Sequence, residues 1–263
     1  MTLSVLISCM RQKDWGIVGR TNVQTDCVVV NQCDCDKVED FTFVNRLGRE
    51  CKVRFISTTE RGLSRSRNMA IRNSTSDVCL ICDDDEWLEN DYEHTILSAY
   101  EENSKADVIA FALIRKDVVK TYPAVKKSLG FVQILKTSSL QISFKRDLQG
   151  KKGISFDEKM GSGTGNGAGE ENKFLLDCRR AKCMMYYHPG VIATVNKAES
   201  QWFKGYDEKY FFNHGWSSRR SMGGFLSLVY ILYYTVSHYS FYSSDVSFLR
   251  AFVCELKGWS VKR

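Results

Sequence analysis

Short β-branched and aliphatic runs recur through the first half of the chain: Leu3 to Ser8, Cys27 to Val30, Lys52 to Ser57, Val78 to Cys82 and Val108 to Ile114. Polar or amphipathic stretches separate them, and that alternation of strand with helix builds a mainly parallel sheet flanked by helices. Leu63 to Asn73 reads as a helix with Leu63, Met69 and Ala70 turned inward, and it carries Arg65, Arg67 and Arg72. Asp91 to Asn103 reads as another, with Asp91 placed as its N-cap. The opening, MTLSVLISCMRQ, has neither a basic n-region nor a small-residue cleavage pattern, so it reads as a first buried strand.

The rhythm breaks in the middle. Leu140 to Lys145 and Ile154 to Phe156 suggest strands flanking a basic turn, after which glycine stands at every second position from Gly161 to Gly169. Such a segment packs no core of its own and is expected to be a mobile loop. A helix begins near Gly169, with Phe174, Leu175 and Cys178 at helical spacing and an acidic first turn suited to the positive end of its dipole. In the tail, Phe225 to Val236 is apolar and aromatic but shorter than the roughly 20 residues that span a bilayer. It fits either a core helix or a helix lying in a membrane interface.

With 43% hydrophobic and 26% charged residues in 263, the chain can bury a full core. One large domain with a small C-terminal appendage is expected. The net charge of +6 is modest, and no basic run is interleaved with aromatic residues, so nucleic acid is not an expected partner. From Gln201 onward eight Lys/Arg stand against four acids, beside aromatic and apolar side chains, which favours an anionic lipid surface. The ten cysteines lie mainly in apolar or charged segments rather than in a small loop-rich framework, so reduced, cytoplasmic thiols are expected. The close pairs Cys33/Cys35 and Cys178/Cys183 lack zinc-knuckle spacing and a matching second pair, which argues against a metal role.

The chemistry concentrates at Asp83-Asp84-Asp85-Glu86, which closes the run Val78 to Cys82. Carboxylates this close repel one another unless a cation or solvent relieves them. On an extended strand end Asp83 and Asp85 would project to one side and Asp84 to the other, so one could bind a hard divalent cation and its partner a ribose hydroxyl. A solvated turn, with Asp85 or Glu86 capping a helix, is the plainer alternative. Upstream, Gly62 precedes a helix bearing Arg65, Arg67 and Asn68, an arrangement able to offer backbone amides and guanidinium groups to phosphate. A solvated basic helix face would read the same way.

Taken in order, the strand TLSVLIS, the strand VVV ending in Asn31-Gln32, GLSRSRN, DDDEWL and GAGEENKF resemble the inverting glycosyltransferases of family 2, of the bacterial capsular or exopolysaccharide type. The resemblance implies the GT-A fold, Rossmann-like, with a transferase domain over 1–200 (donor half to about 115, acceptor half 116–200) and a helical, aromatic C-terminal extension over 201–263. It implies a nucleotide-sugar site at Ser8, Asn31, Gln32, Arg61, Gly62, Arg67, Asn68, Asp83 and Asp84, with Asp85 on Mn2+ or Mg2+. Glu170-Glu171 would be the acidic pair that supplies the base, Glu171 being favoured by position. The family's second strand usually ends in acids and its acidic pair is usually Glu-Asp; amides and Glu-Glu replace them here.

The implied activity is metal-dependent, inverting transfer from a nucleotide-sugar, a UDP-sugar being favoured, to a glycan or lipid-linked acceptor in surface polysaccharide synthesis. The implied place is the cytoplasm, at the inner face of the cell membrane, with peripheral contact. A nucleotidyl or phosphoryl transferase and a non-catalytic sugar-nucleotide binding subunit are the alternatives. On the acceptor side, Gly167, Gly169, Trp202, His214, Arg219 and Arg220 are weaker candidates, as are His188 and Trp216.

Overall fold

The computed structural model describes residues 1–116, 121–166, 169–195 and 205–261. The strands are β1 (Leu3–Met10), β2 (Asp26–Gln32), β3 (Lys37–Val44), β4 (Glu50–Thr58), β5 (Val78–Asp83), β6 (Glu86–Leu88), β7 (Val108–Arg115), β8 (Lys127–Ser128), β9 (Ile142–Lys145) and β10 (Met185–Val195). The helices are α1 (Ile17–Arg20), α2 (Leu63–Asn73), α3 (Tyr92–Glu102), α4 (Phe131–Ile134), α5 (Leu148–Lys152), α6 (Glu170–Arg180), α7 (Glu208–Met222), α8 (Gly224–Ser237), α9 (Tyr239–Tyr242) and α10 (Phe248–Ser260). All the strands join one sheet, in the order β3-β4-β2-β1-β5-β9-β7-β10-β6, with β8 on β10.

β1 is buried on both faces except at its last residue, as a continuous apolar run should be at the centre of a parallel sheet. β4, β2, β1 and β5 are mutually parallel, and so are β7 and β10; β9 enters antiparallel between β5 and β7. The register sets Met10 beside Gln32 and Ser8 beside Asp83, so the C-terminal ends of three strands open on one edge. One face is covered by α3 through Tyr92, Ile96 and Tyr100. The other is covered by α2 and α6, where Phe156 stacks on Phe174 at 4.5 Å.

Four local features differ from what the sequence pattern suggests. β3 was not legible as a strand because it is an edge strand with half-exposed side chains, paired antiparallel to β4. Ile154 to Phe156 forms no strand, and the basic stretch before it is α5. On α2 the inward positions are Ser64, Ser66, Arg67, Asn68, Ala70 and Ile71, while Leu63 and Met69 are half-buried. Asp91 does precede α3, but its side chain makes no capping bond.

The C-terminal helices form their own small core of Phe211, Tyr242, Val246, Ala251 and Cys254. α7 and α10 touch backbone to backbone at two glycines. A Cβ on Gly215 would sit 2.0 Å from the Glu255 carbonyl, and one on Gly258 would sit 1.8 Å from that of Phe212. α8 is inside out: Ser227, Ile231 and Thr235 are buried while Phe225, Leu232, Tyr233 and Val236 face solvent. Among the described residues no helix is long and apolar enough to cross a membrane.

Candidate functional site

The shared strand edge is tied together by amides. Asn31 accepts from the Gln12 N–H at 2.9 Å and donates to the Gln12 carbonyl at 3.0 Å, which pins the loop after β1. Gln32 Oε1 accepts the N–H of Gly62 at 2.7 Å. Gly62 has φ 119°, a left-handed conformation suited to glycine, and it turns the chain into α2. The next amide, on Leu63, donates to Ser162 at 2.9 Å, and Ser64 Oγ donates to the Met160 carbonyl. The first turn of α2 is thus tied to the described part of the glycine segment, and the amides of Gly62 and Leu63 are in use. Ser66 and Ser8 share a hydrogen bond, and Arg61 bonds Asp34 and the Thr58 carbonyl.

Arg67 has the central position. Its side chain is 1% exposed; Nη1 donates to Glu170 Oε1 at 2.9 Å and Nη2 to Asp83 Oδ1 at 3.1 Å, while the guanidinium lies 5.4 Å over the Phe156 ring. A charge so buried needs partners, and these two carboxylates supply them. Asn68, the next residue, holds the Phe156 backbone through both amide atoms and also bonds Glu158. It therefore fixes the segment before the glycine loop, and both of its amide hydrogens are committed to protein.

The acidic stretch is a turn. β5 ends at Asp83, Asp84 and Asp85 form the turn, and β6 begins at Glu86. Alternation of sides along a strand therefore does not apply, and both Asp84 and Asp85 are exposed. Partial desolvation and then the charge of Asp83 raise the pKa of each; Arg20 draws Asp84 the other way and Arg115 does so for Asp85. Glu86 was read only as a cap or as the end of the run. It is 3% exposed, accepts the Asp83 N–H at 3.1 Å, and its Oε1 has no partner. Burial, then Asp83, push its pKa well up. The only sequence signal for Glu86 was its place as a fourth consecutive acid.

Opposite lies the N-terminus of α6. Gly169 precedes it at φ 102°, Glu170 is buried on Arg67, and a Cβ on Gly161 would stand 3.2 Å from the Glu170 carboxyl. Glu171 is less buried and takes no part in that ion pair. Desolvation and the neighbouring Glu170 push its pKa up to about 8, against the pull of Arg67.

The remaining candidates are engaged elsewhere. His214 bonds the fully buried Glu255 at 2.8 Å inside the helical tail. Arg219 lies over Trp259 and donates to its carbonyl, and Arg220 forks onto Asp157. Trp216 is 3% exposed in the tail, and His188 Nδ1 accepts the Gly190 N–H. Gly167 and Trp202 lie outside the described residues.

Carboxylate oxygens are the donor set a hard divalent cation takes, and the partial desolvation and then the Asp83 charge that raise the pKa values of Asp84 and Asp85 are both offset by such a cation. Among the described residues no three acidic, Cys or His side chains converge as a ready-made metal group. A cation here would complete its coordination with substrate oxygens and water, as Mg2+ commonly does.

The family model "Glycosyl transferase family 2" matches residues 16–164, a span that holds the GLSRSRN and DDDEWL segments and stops short of Glu170. Among solved structures, S. aureus TarS 1-349 in complex with UDP-GlcNAc is similar with a TM-score of 0.65 at 14% identity, over 98% of this chain and 78% of that one. TarS 1-349 in complex with UDP gives 0.59 at 12% identity, over 93% and 74%. At such identity the likeness concerns the fold, which is GT-A. No curated protein sequence matches the chain.

Proposed function

The chain belongs to glycosyl transferase family 2, and from that premise we propose that it transfers a sugar from a nucleotide-sugar donor, a UDP-sugar in the favoured reading, to a glycan or lipid-linked acceptor with inversion. The observation that carries this reading is the Asp83–Arg67–Glu170 bridge, which fixes the acidic turn of the sheet edge against the helix bearing Glu171.

In this reading Glu171 takes the proton from the acceptor hydroxyl as that oxygen attacks the anomeric carbon from the face opposite the leaving diphosphate. A carboxylate with a pKa near 8 accepts a proton near neutrality far better than an ordinary glutamate. Arg67 holds Glu170 in place beside Glu171, whose raised basicity comes from burial and then from that neighbour. Mn2+ or Mg2+ held by Asp85, with Asp84 alongside, would supply charge neutralisation for the diphosphate. Asn31 and Gln32 shape the nucleotide wall by fixing Gln12 and Gly62.

The transferase unit is assigned to 1–200 and the helical extension to 201–263. The outward apolar face of α8 supports work on a lipid-linked acceptor at the inner face of a membrane, in surface polysaccharide synthesis. The test is a donor screen of UDP-, GDP- and CMP-sugars with Mn2+ or Mg2+, read by nucleotide release. Release of UDP supports the proposal. Release of pyrophosphate would mark a nucleotidyl transferase, and saturable binding without turnover would mark a binding subunit.

A further inference from the structure

The far end of α6 carries an arrangement that the transfer reaction does not use. The helix ends in a Schellman motif: the Lys182 N–H bonds the Arg179 carbonyl at 3.1 Å and the Cys183 N–H bonds that of Cys178 at 2.9 Å, with Lys182 left-handed at φ 56°. This motif brings the side chain two residues beyond the cap against the one at the start of the last turn, usually as an apolar contact. Here both are cysteines. Cys178 is buried and Cys183 half-buried, and each thiol affects the acidity of the other.

A cation completes the arrangement. Lys152, the last residue of α5, places Nζ 3.4 Å from Cys183 Sγ and is itself held 3.1 Å from Asp107 Oδ2. The charged groups facing the pair are Lys152, Asp107 and, on α6, Asp177. A partly open thiol in direct contact with an ammonium is a setting in which reactive thiolates occur.

We propose that Cys183 is an oxidisable thiol site for hydrogen peroxide, with Cys178 as its resolving partner. The Cys183 thiolate attacks one peroxide oxygen; the S–O bond forms, the O–O bond breaks, and the departing hydroxide leaves as water after taking up a proton. The Cys178 sulfur then attacks the Cys183 sulfur, the S–S bond forms, and the sulfenic oxygen leaves as water with the Cys178 proton. Two thiols and one peroxide thus give one disulfide and two waters, across a backbone separation that the Schellman bond has already closed. The neighbouring Cys178 thiol and the ammonium of Lys152 lower the Cys183 pKa to about 7 against the opposing effect of burial, so thiolate is abundant at neutral pH. With only two sulfur ligands, and no third Cys, His, Asp or Glu converging among the described residues, a redox role fits better than metal binding.

The test uses the whole reduced protein and no activity assay, so its outcome is separate from that of the proposed transfer reaction. After treatment with equimolar hydrogen peroxide, the tryptic peptides bearing Cys178 and Cys183 should be found joined, because Arg179, Arg180 and Lys182 lie between them. In Cys178→Ser, and in Cys178→Ala should the serine disturb the core, oxidation should stop at a sulfenic acid that dimedone traps on Cys183. At pH 7 iodoacetamide should alkylate Cys183 faster than the exposed Cys35, whose thiol pKa is raised, and Lys152→Met should slow that reaction roughly threefold to tenfold. Peptides that remain separate, no dimedone adduct in either variant, or Cys183 alkylating no faster than Cys35 would each overturn the proposal.

Discussion

Asp83 and Glu170 share one guanidinium: Arg67, itself buried, donates to both carboxylates at 3.1 and 2.9 Å. The sheet edge and the α6 N-terminus are thereby held as one unit. Replacing Arg67 by Met should leave two carboxylates facing each other without their cation. The expected cost is about 3–5 kcal/mol of stability, read by urea denaturation, together with loss of UDP binding. Arg67→Lys, a point charge without the fork, should recover part of the stability. Unchanged stability of the Met variant would show that the bridge carries no weight.

Glu171→Gln removes the proposed base while keeping its shape. Turnover should fall roughly 10²- to 10⁴-fold, with UDP affinity by calorimetry within about twofold of the parent. Glu170→Gln should instead weaken folding first, because Glu170 is the partner of Arg67. Full turnover in the Glu171 variant would place the base elsewhere.

The raised carboxyl pKa values make a stability prediction with a definite sign. Asp84, Asp85, Glu86 and Glu171 hold protons in the folded chain at pH values where the unfolded chain, with carboxyl pKa near 4, has lost them. The native state then binds more protons, so stability falls as pH rises from about 4 towards 8. Thermal scans should show a melting temperature that declines across pH 5 to 8. Glu171→Gln should flatten that decline, since one raised group is removed. A decline of the same slope in the variant would count against the raised value at Glu171.

Gly258→Ala tests the crossing of α7 and α10. The added methyl would meet a backbone carbonyl at 1.8 Å, which no side-chain rotation relieves, so the helices must part. A loss of about 3 kcal/mol or more is expected, against near neutrality for alanine at the open position Gly150 of α5.

The outward face of α8 predicts membrane contact. Sedimentation with anionic vesicles should fall when Phe225, Leu232 and Val236 are changed to Ser, while the melting temperature stays nearly constant because these side chains are already exposed. Arg219→Ala should act through stability rather than through lipid binding, since Arg219 serves the Trp259 carbonyl and ring. Vesicle binding unaffected by the triple change would exclude α8 as the contact.

The apolar runs of β1, β2, β4, β5 and β7 were legible because strands at the centre of a sheet are buried on both faces, and α2 because its polar boundaries are sharp. The acid cluster and the acidic pair were legible as types of chemistry. β3 was not, because an edge strand leaves half its side chains in water and so blurs the pattern.

What the sequence determined by itself was the alternation of the central strands β1, β2, β4, β5 and β7 with helices α2 and α3, and the inventory of charged groups, since both follow from local periodicity and residue chemistry. Only the tertiary structure decided how those groups pair. Arg67 and Asn68 read as ligands of a nucleotide, yet packing α2 inward commits both Nη atoms of Arg67 to carboxylates and the Asn68 amide to the Phe156 backbone and Glu158, while Arg67 Nε is left without a partner among the described residues. Glu86 read as a cap and became a buried acid, because the chain turns at Asp84-Asp85 and returns as β6. Burial and long-range partners arise when distant segments meet, and no spacing along the chain encodes the distance at which they do.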